Sequence, residues 1–241
     1  MVGKLALLDA SLGDTPAERN FRREFDVELD VFKVSEGAFP DVSAAGGYRD
    51  FPYDGAVISG SQTSVYWDEP WIDDVEGWVQ DAVDCGVPVL GVCWGHQLLA
   101  AALGGTVSAM DDYELGYRTV RQCADSDLFA GISEEFVAFE THSDVVSELP
   151  PGATRLAEND CCVQAFRVRN AVGVQFHPEY DRDTARWVTE NKRGEVDDER
   201  VDAVLSAATA SRHAETAQVT RLFENFQRFA RDRASLSPEH Q

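Results

Sequence analysis

Short apolar runs and helical stripes alternate along the first hundred residues of the chain. The apolar runs are bounded by glycine or polar residues and predict buried strands at 4–9, 27–34, 54–59 and 88–92. Apolar positions at helical spacing predict helices at 17–25, 71–85 and 98–103. Strands and helices in alternation are typical of a doubly wound α/β protein, with a mostly parallel sheet flanked by helices.

The pattern changes after Gly105, where the apolar runs become shorter and follow one another without helices. They predict strands at 106–109, 118–122, 137–141, 154–157, 162–168 and 171–175, which we interpret as a small antiparallel extension of the sheet. Helical stripes return at 182–190, 199–208 and 214–230. We therefore expect one domain over 1–241, with 181–241 as a helical extension packed on it, a loop at 41–53 and a frayed tail at 232–241.

Acidic residues dominate the charge of this 241-residue chain, which has a formal net charge of −22. Such a surface disfavours nucleic acids and anionic membranes as partners. Because the acidic residues are spread along the chain, we interpret them as an adaptation to high intracellular salt, with an ordinary acidic protein as the alternative. No apolar run has the length of a membrane span and no signal pattern begins the chain, so a cytoplasmic protein is expected.

The five cysteines are odd in number and show no CxxC spacing. This pattern argues against a disulfide framework and against a zinc site, so we expect no metal. No P-loop or other nucleotide-binding motif is present, and the sequence therefore predicts no cofactor.

Cys93 stands where the strand at 88–92 meets the following helix, within Gly91-Val92-Cys93-Trp94-Gly95. This stretch has the form of a nucleophile elbow with cysteine in place of serine. The two glycines remove Cβ atoms that would collide at a sharp strand-to-helix turn. The N-terminus of the helix stabilises a thiolate and offers N–H groups to an oxyanion. The alternative is a small hydrophobic residue of the core.

A second polar stretch follows the strand at 171–175 and contains His177, Pro178 and Glu179. Residues two apart on an extended backbone share a face, and the proline favours that extended form at His177. Glu179 can therefore orient the imidazole, and the imidazole can deprotonate a thiol. His96 is also near Cys93 in sequence, but we expect a structural role for it because His177 already has a carboxylate behind it.

Gly-Val-Cys-Trp-Gly-His-Gln at 91–97 and Gln-Phe-His-Pro-Glu at 175–179 together resemble the class I (triad) glutamine amidotransferases. The resemblance extends from about residue 5 to residue 180 and implies a flavodoxin-like fold. It also implies that Cys93 is the nucleophile, His177 the base and Glu179 its partner.

The same resemblance suggests further site residues. The backbone N–H groups of Gly60 and Trp94 correspond to the oxyanion hole, although many family members have Gly-Gly-Pro where this chain has Gly-Ser-Gln at 60–62. Substrate-binding roles follow for Ser61, Gln97, Glu114, Gly116 and His142. A turn glycine, a solvated glutamine and a loop histidine are the structural alternatives for Gly60, Gln97 and His142.

The family implies hydrolysis of the glutamine side-chain amide through a cysteine thioester, which gives glutamate and ammonia. The segment 141–144 and the elbow are most similar to the glutaminase portion of GMP synthase, whose ammonia would serve an acceptor on a separate ATP-dependent synthetase subunit. Two alternatives stay open: a stand-alone γ-glutamyl peptidase or hydrolase, and a non-catalytic regulatory homologue.

Overall fold

Nine strands form one mixed sheet in the computed structural model of the chain, which describes residues 3–42 and 50–236. The strands are β1 Lys4–Asp9, β2 Glu28–Lys33, β3 Gly55–Ile58, β4 Val89–Val92, β5 Thr106–Gln122, β6 Glu135–Glu148, β7 Thr154–Glu158, β8 Val163–Val168 and β9 Ala171–Val174. Their order is β2-β1-β3-β4-β9-β8-β7-β5-β6. The pairs from β2 to β9 are parallel, and the pairs from β9 to β6 are antiparallel.

Helices cover both faces of the parallel part of the sheet. They are α1 Ala17–Glu24, α2 Pro70–Asp84, α3 Trp94–Ala102, α4 Arg182–Glu190, α5 Asp198–Ala207, α6 Ala210–Ala214 and α7 Arg221–Leu236. Alternate residues of a strand face opposite sides. Leu5 and Leu7 accordingly belong to one apolar cluster with α1 and α7, whereas Ala6 and Leu8 belong to another with α2 and α3. The predicted doubly wound α/β class is confirmed.

The antiparallel part differs from the prediction in the length of its strands. The segments 106–109 and 118–122 are the two ends of one strand, β5, and β6 extends well beyond the predicted 137–141. The register of the β5–β6 pair shifts between Ala109 and Glu114, which breaks the alternation of apolar and polar residues. The periodicity is therefore lost at the bulge, although the two strands stay paired on both sides of it.

The predicted helix at 214–230 is also interrupted. α6 ends at Ala214, a 3-10 turn follows at Ala217–Thr220, and α7 begins at Arg221. The hydroxyl group of Thr216 donates a hydrogen bond to the carbonyl oxygen of His213 at 2.8 Å, and such local side-chain bonds compete with helix continuation. α7 nevertheless buries Leu222 and Phe223 in the cluster that contains α1.

Parts of the predicted loop at 41–53 and of the tail at 232–241 lie outside the described residues. The assignment of 1–241 to a single domain stays a prediction. Within the ranges that the structure describes, no helix is both long enough and apolar enough to cross a bilayer.

Candidate active site

Four neighbouring parallel strands deliver polar groups to one edge of the sheet. Ser11 follows β1, Gly60 follows β3, Cys93 follows β4 and His177 follows β9. All four line a cavity of about 260 Å³. The carboxyl ends of parallel strands are where open α/β sheets bind ligands, close to the point where the strand order reverses.

Cys93 has a strained backbone, with φ 54° and ψ −106°. Left-handed φ values are uncommon for residues other than glycine and are typical of a nucleophile held on a tight turn. The flanking glycines have a steric cause. A Cβ atom on Gly91 would lie 2.3 Å from the carbonyl oxygen of Gly95, and one on Gly95 would lie 2.5 Å from that of Ile58. Neither position can hold a side chain without displacing the turn.

His177 is held by two neighbours. Its Nδ1 atom lies 2.8 Å from Oε1 of Glu179, and the ring of Tyr180 stacks on the imidazole with centroids 4.0 Å apart. Both members of the histidine–carboxylate pair are buried. The other ring nitrogen, Nε2, has no hydrogen-bond partner among the described residues. With Nδ1 engaged by the carboxylate, Nε2 is the atom left to exchange a proton with the thiol.

The electrostatics of this pair favour a charged imidazole. Burial by itself lowers the pKa of His177, but the Glu179 carboxylate and the Cys93 side chain raise it to about 10. The imidazolium form of His177 is therefore stable at neutral pH. His96, by contrast, is fully buried, and burial lowers its pKa to about 3, so it stays neutral as a structural histidine would.

Gly60 lies against both reactive side chains. A Cβ atom there would be 3.3 Å from Cε1 of His177 and 3.8 Å from Cβ of Cys93. Trp94 begins α3, and the N–H groups of the first helical turn have no partner within their helix. The chain therefore carries two backbone N–H groups next to Cys93 at the edge of the sheet.

The structure brings Ser61 to the cavity but places the other predicted substrate-binding side chains elsewhere. Gln97 is buried, and its Nε2 atom donates hydrogen bonds to the carbonyl oxygen of Asp144 at 2.8 Å and to Oε1 of Gln175 at 3.1 Å. The role of Gln97 as a substrate ligand stays a prediction. The side chain connects α3 to β6 because both of its amide hydrogens already have acceptors in the protein.

Glu114, Gly116 and His142 lie within β5 and β6 and are not among the residues that line the cavity. Nε2 of His142 is 2.9 Å from Oε2 of Glu114 in a buried pair. Gly116 has φ 105°, and a Cβ atom there would contact Val204 of α5 at 3.1 Å. These residues therefore belong to the two strands that supply part of the cavity wall, Tyr113 on β5 and Thr141 on β6.

Several cavity residues were not predicted from the sequence. They come from α1 with the turn before it and from α4 with the turn after it, and include Thr15, Asn20, Trp187, Lys192 and Glu195. Nζ of Lys192 lies 2.9 Å from Oε2 of Glu195 and 5.1 Å from the ring centroid of Tyr113. The sequence offered one signal for Lys192: it is one of only three lysines in a strongly acidic chain, and a rare positive charge is a candidate for binding an anionic group.

Comparison with known proteins identifies one matching family, and the similar proteins are in agreement with it. The family described as "Glutamine amidotransferase class-I" matches residues 18–191. A GMP synthase [glutamine-hydrolyzing] of Vibrio vulnificus (strain YJ016) is 39% identical over 134 residues, which are 54% of this chain and 25% of the relative. The aligned part of this chain thus spans about a quarter of the length of that relative.

Solved structures support the fold at lower identity. A glutamine amidotransferase from Thermotoga maritima has a TM-score of 0.77 and 21% identity, covering 94% of this chain and 99% of the other. A protein from Thermoplasma acidophilum, described as a putative GMP synthase subunit, has a TM-score of 0.70 and 22% identity, covering 99% of each chain. At such identities the likeness establishes the shared architecture alone.

Proposed function

The chain belongs to the class I glutamine amidotransferase family, and on that basis we propose that it hydrolyses the side-chain amide of glutamine. The observation that carries the proposal is the strained Cys93 at the cavity, next to an imidazole that Glu179 holds through Nδ1. A thiolate, a base and an orienting carboxylate are the groups that acyl transfer from an amide requires.

The reaction begins when the Cys93 sulfur attacks the amide carbon and a C–S bond forms. The negative oxygen of the tetrahedral intermediate accepts hydrogen bonds from the N–H groups of Gly60 and Trp94. The His177 imidazolium gives its Nε2 proton to the departing nitrogen, the C–N bond breaks, and ammonia leaves a γ-glutamyl thioester. Water, deprotonated by the same imidazole, then attacks the thioester, and glutamate departs as the thiolate is restored.

The charges at the far side of the cavity suit the amino-acid end of the substrate. Lys192 is half-buried beside Tyr113, and Glu195 lines the same cavity. The α-carboxylate of a substrate can bind the ammonium group of Lys192, while the α-ammonium group of the same substrate binds the carboxylate of Glu195. The zwitterionic substrate then replaces the ion pair between Lys192 and Glu195. We assign Lys192 and Glu195 to this recognition, which fits glutamine and other γ-glutamyl compounds alike.

The ammonia is proposed to pass to an acceptor on a separate ATP-dependent synthetase chain. The name of the Vibrio relative includes glutamine hydrolysis, and that relative is much longer than the part of it that this chain matches. The Thermoplasma protein, of matching length, is described as one subunit of a GMP synthase. A cytoplasmic location stays a prediction from composition.

The test uses the purified chain in assays with glutamine and with a γ-glutamyl dipeptide, each with and without a synthetase chain and its nucleotide substrate. Slow glutamine turnover that rises with the synthetase supports the proposal, because closure on a partner completes such sites. Fast dipeptide cleavage without a partner, with poor glutamine turnover, would indicate a γ-glutamyl peptidase.

A second measurement tests the nucleophile. A glutamine-analogue electrophile should label Cys93, as mapped by mass spectrometry, and Cys93→Ala should abolish both labelling and turnover. Cys123→Ala is the matched control, since that thiol is exposed and outside the cavity lining. Full turnover in Cys93→Ala would refute the assignment.

A further inference from the structure

Three potential metal ligands meet in the antiparallel part of the sheet, behind the cavity. They are Glu114 on β5, His142 on β6 and Cys162 immediately before β8. One ligand atom from each lies within 4.8 Å of the other two, the glutamate and histidine are buried, and the cysteine is half-buried. Carboxylate, imidazole and thiolate are the three ligand types that Zn²⁺ accepts.

Each of these side chains is oriented by a further polar group. Nδ1 of His142 lies 3.0 Å from the carbonyl oxygen of Asp144, so a proton on Nδ1 leaves Nε2 as a free ligand atom. Gln164 donates a hydrogen bond from Nε2 to Sγ of Cys162 at 3.3 Å. Metal-binding side chains in proteins are commonly held by such outer contacts, which fix their direction.

Asn159 connects Glu114 to Cys162. Its amide nitrogen donates to Oε1 of Glu114 at 2.7 Å, and its amide oxygen accepts from the backbone N–H of Cys162 at 2.9 Å. The turn between β7 and β8 thereby brings the thiol toward the carboxylate. Oε2 of Glu114, the oxygen that Asn159 does not contact, faces His142.

A further carboxylate, that of Glu140, is buried beside His142. Glu140 is completely buried, and neither of its carboxylate oxygens accepts a hydrogen bond from any described residue. One of them lies 3.4 Å from Nε2 of His142. The guanidinium of Arg118 reaches Glu114, with 3.4 Å between Nε and Oε1, but the contacts described include none from a guanidinium to Glu140. Two buried carboxylates, Glu114 and Glu140, share the single imidazole of His142, and a divalent cation at this point would compensate both charges.

We propose that the chain binds one Zn²⁺ ion through Sγ of Cys162, Nε2 of His142 and Oε2 of Glu114, and that the neighbouring carboxylate of Glu140 shifts toward the ion to become the fourth ligand. The Cys162 thiol and the His142 imidazolium each release one proton to solvent on binding, so that His142 binds as the neutral imidazole. Four protein ligands make a closed, structural site rather than a catalytic one, since no position is left for water.

The ion would stabilise the wall of the cavity. Thr141 stands between Glu140 and His142 on β6, lines the cavity, and has its carbonyl oxygen 3.9 Å from Sγ of Cys93. Because adjacent strand residues face opposite sides, ligation of residues 140 and 142 from behind fixes Thr141 in front.

Cobalt(II) substitution tests the proposal without reference to glutamine hydrolysis. The chain is stripped with a chelator and titrated with Co²⁺, and we expect one equivalent to bind with a sulfur-to-cobalt charge-transfer band that Zn²⁺ abolishes. Cys162→Ser should lose the band, and Cys161→Ser, which alters the exposed neighbouring thiol, should keep it. Gln164→Leu, which leaves all four ligands in place, should weaken cobalt binding about tenfold.

No charge-transfer band in the wild-type chain, or a band retained by Cys162→Ser, would overturn the zinc site. Either result would leave His142 as an imidazolium ion between two carboxylates. Neither result bears on the role of Cys93, because the cobalt spectrum reports only the thiolate that binds the metal.

Discussion

The ring of Tyr180 lies nearly parallel to the imidazole of His177, with centroids 4.0 Å apart and planes inclined by 18°. Together with the hydrogen bond from Nδ1 to Glu179, this stack fixes both the plane and the rotation of the imidazole. Nε2 of His177 therefore has one fixed orientation. This matters because a small displacement of a proton-transfer group strongly reduces the rate of the reaction.

We predict that Tyr180→Phe keeps glutaminase activity within about twofold, whereas Tyr180→Leu lowers kcat by roughly tenfold to a hundredfold. Phenylalanine preserves the stacked ring, and leucine removes it while leaving the site apolar. Steady-state kinetics measure the difference, and rates of electrophile labelling at Cys93 should change in parallel. Equal activity of the two variants would show that the stack does not position His177.

We predict that Gly60→Ala lowers kcat by about a hundredfold, in the range found for loss of an oxyanion donor. The new methyl group would lie 3.3 Å from Cε1 of His177, which displaces the imidazole or the loop. The matched control is Gly77→Ala on α2, where an added Cβ atom meets nothing within 4 Å. That variant should keep full activity and gain about 0.5–1 kcal/mol in its free energy of unfolding.

We predict that Lys192→Gln raises KM for glutamine about tenfold or more and changes kcat little, because it removes binding common to the ground and transition states. Arg193→Gln is the control, since Arg193 pairs with Glu190 and Asp202 on the surface next to Lys192. A fall in kcat with unchanged KM in Lys192→Gln would contradict the recognition role. An equal effect in Arg193→Gln would show that only the net charge of the segment after α4 matters.

We predict that His177 stabilises the folded chain more at low pH than at high pH. Its pKa is raised from 6.5 to about 10 on folding, so the contribution is complete below pH 6.5 and is lost as the pH rises through 10. Urea unfolding of the wild type and of His177→Gln should therefore show a difference in unfolding free energy, on the order of a few kcal/mol, that shrinks between these pH values. A constant difference would mean that the imidazole is neutral in the fold.

We predict that the thermal midpoint rises with KCl from about 0.1 M into the molar range, because salt screens the repulsion among dispersed carboxylates. The net charge of −22 is the motivation, and the measurement is a series of thermal scans at fixed pH. A midpoint that is flat or falls with KCl would contradict the interpretation of high-salt adaptation and favour an ordinary acidic protein.

The hydrophobic periodicity of the sequence was sufficient to predict a helix or strand wherever that periodicity was strong and its ends were marked by capping residues or turn residues. β1 and α4 begin and end at the residues that the pattern predicts, since glycine, proline and capping residues bound strong apolar periods. Prediction was wrong at β5 and β6, where a bulge and solvent exposure hide the period of two, and at the break between α6 and α7, where a threonine side chain competes with the helix.

The sequence by itself determined the α/β class and was sufficient to predict which residues would do the chemistry. The elbow glycines around Cys93 and the pair formed by His177 and Glu179 are local patterns whose geometry follows from backbone sterics. Tertiary structure decided which other side chains meet the cavity. The amide of Gln97 meets acceptors at Asp144 on β6 and at Gln175 just after β9, and Lys192 lines the cavity from the turn after α4. Contacts between residues far apart in the chain depend on packing and register, and no short-range pattern encodes these.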